Sequence, residues 1–271
     1  MKISGFTFIH NAIESGYPIV EAIRAVQPYV DEVCVVDMQS TDNTRETIQQ
    51  LNINKLRNDW TAECPVRILN GFWGNEAGET LRQAHSKYID CAGDVIIHFE
   101  GDEVYEDRLI KYLIGHIKAT RPENCHYSVF RLQIEQNFQR CRWYPEPVHR
   151  VFPRLSGVRK EGHTTDQHDK SFLIMPKNGY LWDCTNCFRD NWLNRVDKQA
   201  ELRQSAPQYI MTPLHTLHKS ELSEHEAQKM IYGLKHWTYT ETPFAIPEIL
   251  KPLVGTTRYK PMLEKDTVCH Q

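Results

Sequence analysis

Two spacings of apolar residues take turns along the first half of the chain. Ile3 to Ile9 alternates loosely and is rich in Ile, Phe and Thr, as a strand requires. His10, Asn11 and Glu14 follow in a polar turn, and Ser15-Gly16-Tyr17-Pro18 opens a helix with Pro18 in its first turn. Ile19, Ala22, Ile23 and Val26 make the stripe of that helix, which Pro28 ends. Glu32 to Asp37 is a second buried strand, Met38 to Asn43 a loop, and Thr44 to Leu51 a short helix. Val66 to Leu69 predicts another strand. A helix from Glu76 to Ile89 follows, with Ala77, Leu81, Ala84 and Tyr88 on one face and Gly93 as its cap. Val95 to His98 is a fourth strand. The helix Asp107 to Thr120 carries Leu109, Leu113 and Ile117 on one face. Strand and helix alternating in this way predict βαβ units and a parallel sheet.

Beyond Pro122 the pattern loosens. Tyr127 to Ile134 and Phe172 to Met175 are strand-like, and Gln139 to Arg154 is dense in Arg, aromatic residues and Pro. Glu161 to Asp169 is polar, and helices are expected at Asn191 to Arg203 and Ser223 to Trp237. The expected fold is α/β, a Rossmann-like, mostly parallel sheet flanked by helices. Residues 1–190 form the main domain, divided into halves 1–110 and 111–190, and 191–271 form a C-terminal helical appendage.

At 271 residues the chain buries a substantial core, about 70–75% of the unfolded surface. Its 32 basic and 35 acidic residues nearly balance, which argues against a nucleic-acid partner. No apolar run approaches the ~18 residues of a transmembrane segment, and Met1 to His10 lacks the features of a signal peptide. The 8 scattered cysteines suit reduced thiols and a cytoplasmic setting. Cys184 and Cys187 form a lone CxxC without the second pair or histidines that zinc needs.

The chemistry concentrates in Asp94 to Asp107, where an apolar strand runs into Glu100, Gly101, Asp102 and Glu103. Carboxylates at the carboxyl end of such a strand lie where open α/β sheets bind ligands. In a continuing strand Glu100 and Asp102 would face the same way. Two hard oxygen ligands on one side hold a divalent cation, and the cation holds a diphosphate. A solvated acidic helix start is the plainer alternative. The chain has no GxGxxG after the first strand and no GxxxxGK[ST], so a dinucleotide oxidoreductase or P-loop NTPase is not expected.

The stretches ISGFTFIHNAIE, EVCVVDMQSTDNT and GNEAGETLRQA with GDVIIHFEGDEVY resemble the family-2 glycosyltransferases with their GT-A fold, over roughly residues 1–110. The resemblance implies a hexosyltransferase-type enzyme. Such an enzyme moves a sugar, with inversion, from a UDP- or GDP-linked nucleotide-diphospho-sugar to a glycan or other hydroxyl acceptor. It also implies Mn²⁺ or Mg²⁺ at Asp102, with Glu100 toward metal or ribose and His163 as a further metal candidate. Asp37, near Asn11 and Glu14, would meet the base or ribose. From their residue type, Arg142, Arg150 and Arg154 suit either a clamp on the diphosphate or a solvated basic strand. Asp166, Glu161 and Glu103 are the candidate bases for the acceptor hydroxyl. Glu100 stands where the family usually has Asp. Trp73, Trp143 and Tyr144 suit either sugar stacking or core packing. The rival readings are a nucleotidyltransferase that makes sugar nucleotides and a nucleotide-sugar binding homologue without turnover.

Overall fold

The structure is a computed structural model. It describes residues 1–55, 64–73, 77–120, 125–135, 138, 140–142, 146–154, 170–187, 239–241, 245–254, 256 and 259–261. The first half runs β1 (Ile3–Ile9), the one-turn α1 (Ala12–Ser15), α2 (Ile19–Val26), β2 (Glu32–Asp37), α3 (Thr44–Lys55) and β3 (Val66–Asn70). Next come α4 (Ala77–Ser86), β4 (Val95–His98), β5 (Glu103–Tyr105) and α5 (Asp107–Thr120). The second half adds β6 (Cys125–Glu135), β7 (Arg140–Arg142), β8 (Glu146–Pro153), β9 (Lys170–Ile174), β10 (Leu181–Asn186) and β11 (Tyr239–Glu241).

These strands form one sheet in the order β11-β7-β6-β8-β4-β1-β2-β3, with β9 and β10 on the other edge of β6 and β5 beyond β10. From β3 through β2 and β1 to β4 the pairing is parallel. Strand β8 then runs antiparallel to both β4 and β6, so the mostly parallel sheet expected from the sequence is in fact mixed. Strand β7 is antiparallel to β6 as well, since the link between them is too short for a crossover helix.

Alternation along the central strands sorts side chains to two faces. Ile3, Ile9, Val33, Val35, Val95 and Ile97 meet α2 and α5 on one face, where Ile48 and Leu51 of α3 join them. Phe6, Cys34, Val36 and Ile96 meet Ala84, Tyr88 and Phe152 on the other. Helices following β1 and β2 therefore cover one face, and α4, which leads to β4, covers the other. The strand order reverses between β1 and β4, which opens a crevice at their carboxyl ends.

Several boundaries differ from the periodicity. Helix α2 begins at Ile19, preceded by the single turn α1 and by Gly16 in the left-handed region at φ 73°. Gly93 is not a helix cap. A 3₁₀ turn over Lys87–Asp90 ends α4's run, and Gly93 lies against β1, where a Cβ would come 2.5 Å from the Ser4 nitrogen. Leu250, Leu253 and Tyr259 are buried in the α2 side of the core, and Tyr259 Oη donates to Glu21 Oε2 at 2.8 Å. Strand β11, also within 191–271, pairs with β7. The helices expected at 191–203 and 223–237 lie outside the described residues. Among the described residues no helix is long and apolar enough to cross a membrane.

Candidate functional site

The carboxyl ends of β1 and β2 are tied to each other by side chains. Asn11, at φ 49°, takes the left-handed conformation that Asn tolerates better than most residues. Its Oδ1 accepts the Thr41 N–H at 2.7 Å, and its Nδ2 donates to Thr41 Oγ1 at 3.2 Å. The loop returns the favour to α1: Thr44 Oγ1 accepts the Ile13 N–H at 3.1 Å, and Asp42 Oδ2 accepts the Glu14 N–H at 2.9 Å. These bonds satisfy amides at a helix start that has no side-chain cap of its own. Asp37, 4% exposed, ends β2 and receives Arg45 at 2.9 Å and the Ser40 N–H at 3.0 Å. His10 Nδ1 donates to the Met38 carbonyl at 2.8 Å, and the His10 ring stacks on Trp73 with centroids 4.2 Å apart.

Across the crevice, β4 stops at His98 and does not continue through the acidic residues. The Glu103 N–H donates to the Glu100 carbonyl at 3.0 Å, closing a turn around Gly101 and Asp102. Glu100 and Asp102 therefore share a turn and not a strand face. Gly101 sits over the end of β1, where a Cβ would lie 3.0 Å from Ile9 Cγ2.

Behind the turn lies a buried charge network. Glu103, 0% exposed, takes Arg150 Nε on Oε2 at 2.8 Å and Nη2 on Oε1 at 2.6 Å. Its Oε2 also accepts the Glu100 N–H at 3.0 Å. Arg150 Nη2 reaches Glu100 Oε1 at 3.0 Å, and Arg131 lies 3.7 Å from Glu103 and 3.6 Å from Asp183. Burial works against the Glu103 carboxylate, but the charge and hydrogen bonds of Arg150 outweigh it and hold the group below its ordinary range. Glu100 goes the other way. Burial first, and then the Glu103 charge, push it up to about 8 against the pull of Arg150. Its side chain keeps 28% of its surface, so water tempers that push. Asp102 and Asp183 add their negative fields at Glu100.

The structure thus gathers Glu100, Asp102 and Glu103 on one side of the crevice and Asn11 and Asp37 on the other, with Glu14 beside Asn11 at α1. Two of the candidate residues are paired with each other. Glu103, expected among the bases, has both oxygens inside an ion pair and is sealed from solvent. Arg150, expected on the diphosphate, is only 3% exposed and spends its guanidinium on Glu103 and Glu100. Asn11 uses its carboxamide to build the loop. Asp166, Glu161, His163, Trp143 and Tyr144 lie outside the described residues. The sequence reading missed Asp183 and Arg131. The signal for Asp183 was an acid inside the apolar run Leu181 to Cys184, which a buried strand carries only with a cationic partner.

Glu100, Asp102, Glu103 and Asp183 set four carboxylates against the two guanidiniums of Arg131 and Arg150. Fold and edge together define a mixed α/β protein with an acidic crevice at the point where its parallel strands reverse order.

No protein-family model matches the chain, and no curated protein matches it. Among solved structures it is similar to S. aureus TarS. A structure of TarS residues 1–349 aligns at TM-score 0.42 and 12% identity, over 79% of this chain and 68% of that one. The same piece in complex with UDP-GlcNAc aligns at 0.42 and 12%, over 79% and 69%. The structure described simply as TarS aligns at 0.41 and 14%, over 84% of this chain and 42% of that one. A likeness this loose leaves the chemistry to be argued from the residues themselves.

Proposed function

We propose that the chain is a glycosyltransferase of GT-A type that moves a sugar, with inversion, from a nucleoside-diphosphate donor to a hydroxyl acceptor such as a glycan. The observation that carries this reading is the turn at the carboxyl end of β4 that bears both Glu100 and Asp102. It lies in the crevice between β1 and β4, where open sheets bind nucleotides. Those carboxylates suit a divalent cation, and the cation's remaining sites suit the oxygens of a diphosphate.

The donor set fits such an ion. Asp102 and Glu100 offer hard oxygen ligands, as Mg²⁺ and Mn²⁺ prefer. Among the described residues no third His, Cys, Asp or Glu completes a tight ligand group with them. Mg²⁺ sites commonly have one or two carboxylates plus substrate phosphates. When bound, the ion would act as a Lewis acid on the leaving diphosphate. Glu103 and Arg150 serve this site as positioning residues. The loop tied by Asn11 and Asp37 would take the nucleoside, and the Trp73–His10 stack offers the base a flat face. Asp166 or Glu161 would be the base, with His163 a further ligand to the metal.

Calorimetric titration with UDP and GDP, with and without Mn²⁺, tests the reading. The expected result is metal-dependent binding of one nucleotide, lost in Asp102→Ala. Failure of both nucleotides to bind under any metal condition would sink the proposal. Asp166→Asn and Glu161→Gln then separate the candidate bases. The variant that removes the base should lose about 10²–10⁴-fold in kcat with donor binding intact.

A further inference from the structure

A second cluster lies at the opposite, amino-terminal edge of the central strands and takes no part in the crevice. Glu32 and Cys34 are two apart on β2 and so project from one face of the sheet. In register beside them stand Ser4 of β1, opposite Glu32, and Arg67 of β3, opposite Cys34. The 3₁₀ turn Lys87–Asp90 brings the chain down onto this face and delivers Cys91. Two bonds fasten the loop there: the Ala92 N–H to Glu32 Oε1 at 2.5 Å and the Gly93 N–H to Ser4 Oγ at 2.8 Å. Glu32, Cys34 and Cys91 are all buried, and one ligand atom from each lies within 4.8 Å of the other two. Neither cysteine is in a disulfide.

We infer that Cys34, Cys91 and Glu32 form a binding site for a thiophilic divalent cation of the Zn²⁺ or Cd²⁺ class. Two sulfurs on one tetrahedral zinc lie ~3.8 Å apart, from Zn–S bonds of about 2.3 Å. The cluster therefore needs little closure to hold the ion. Charge agrees with geometry. Arg67 Nη1 sits 2.7 Å from Glu32 Oε2 and 4.0 Å from Cys34 Sγ. Two thiolates and one carboxylate against one guanidinium and one divalent cation sum to zero, the condition for burying such a group. Each thiol gives up its proton to solvent as the cation enters. Sulfur ligands select this class over the Mg²⁺ or Mn²⁺ proposed for the crevice. The CxxC at Cys184 and Cys187 has no comparable third ligand among the described residues.

The test is titration of the reduced full-length protein with Co²⁺, followed by Zn²⁺ displacement. Thiolate-to-cobalt charge-transfer absorption is the readout, and its visible bands report the coordination number. One equivalent should bind, and the signal should be lost in both Cys34→Ala and Cys91→Ala. It should persist in Cys187→Ala and in Asp102→Ala, which separates it from failure of the crevice reading. Circular dichroism of each variant checks folding, and Zn²⁺ should raise the melting temperature of the wild type but not of Cys91→Ala. A wild type without the charge-transfer band, or with a band that survives both substitutions, overturns the assignment. So does a pair that oxidises to a disulfide while the reduced protein takes up no metal.

Discussion

Glu103 and Arg150 show how far the role of a carboxylate depends on its neighbours. Both are sealed from water and joined by paired bonds of 2.8 and 2.6 Å, so removing one strands the other's charge in the interior. Arg150→Met is expected to cost about 3–5 kcal/mol of stability, and Arg150→Met with Glu103→Leu should recover most of it. Urea denaturation of the variants measures both. Glu100 predicts a pH effect of definite sign. Its pKa is about 8 in the folded protein against 4.5 as the reference value, so between those values the native state keeps a proton that the unfolded chain has released. Stability is therefore greatest below the lower value and falls as pH rises toward 8 in metal-free buffer. Calorimetric melting temperatures across that range should show a shallower decline in Glu100→Gln, which stays neutral throughout.

Among the elements, the loop after β2 and the turn after β1 stand or fall together, because Asn11 serves both. Asn11→Ala loses the bonds to Thr41, worth about 1–3 kcal/mol when a buried partner is left unsatisfied. It also forces Ala into the left-handed region at about 1–2 kcal/mol. Asn11→Gly keeps the backbone conformation and loses only the bonds, so the difference between the two variants reads the conformational cost directly in equilibrium unfolding. The turn at Gly93 makes a sharper case, since a Cβ there meets the backbone of β1 at Ser4 and Ile3 as well as the Ser4 hydroxyl. Strand β4 was visible in the sequence as the run Val95 to His98. The tight contact that Gly93 makes just before it was not, because a cap and a close approach call for the same residue type.

For the whole molecule, the chain's end closes a core that its beginning opens. Tyr259 hydrogen-bonds Glu21 of α2 across 238 positions of sequence, and Leu250 and Leu253 bury against the same side. A chain ending before Tyr239 is expected to bind a hydrophobic dye and melt at a lower temperature than the full chain. An unchanged melting curve would show that this packing contributes nothing. The strand order carries the functional consequence, since reversal between β1 and β4 creates the crevice that Asn11, Asp37 and Asp102 border.

By itself the sequence determined the alternation of strand and helix, because apolar period is a local property that survives without knowledge of partners. It also placed acidic residues directly after a buried strand, where the structure has the turn of Glu100, Asp102 and Glu103. Only the tertiary structure decided that Glu103 is held in a buried ion pair. Glu103 sits in the same turn as Asp102, and Arg150, 47 positions further on, reaches Glu103 through the antiparallel placement of β8. Glu32, Cys34 and Cys91 likewise become a cluster only when the loop before β4 folds onto β2. Register and burial, which no single stretch of sequence encodes, convert an acid or a thiol from a surface group into a ligand or a buried ion pair.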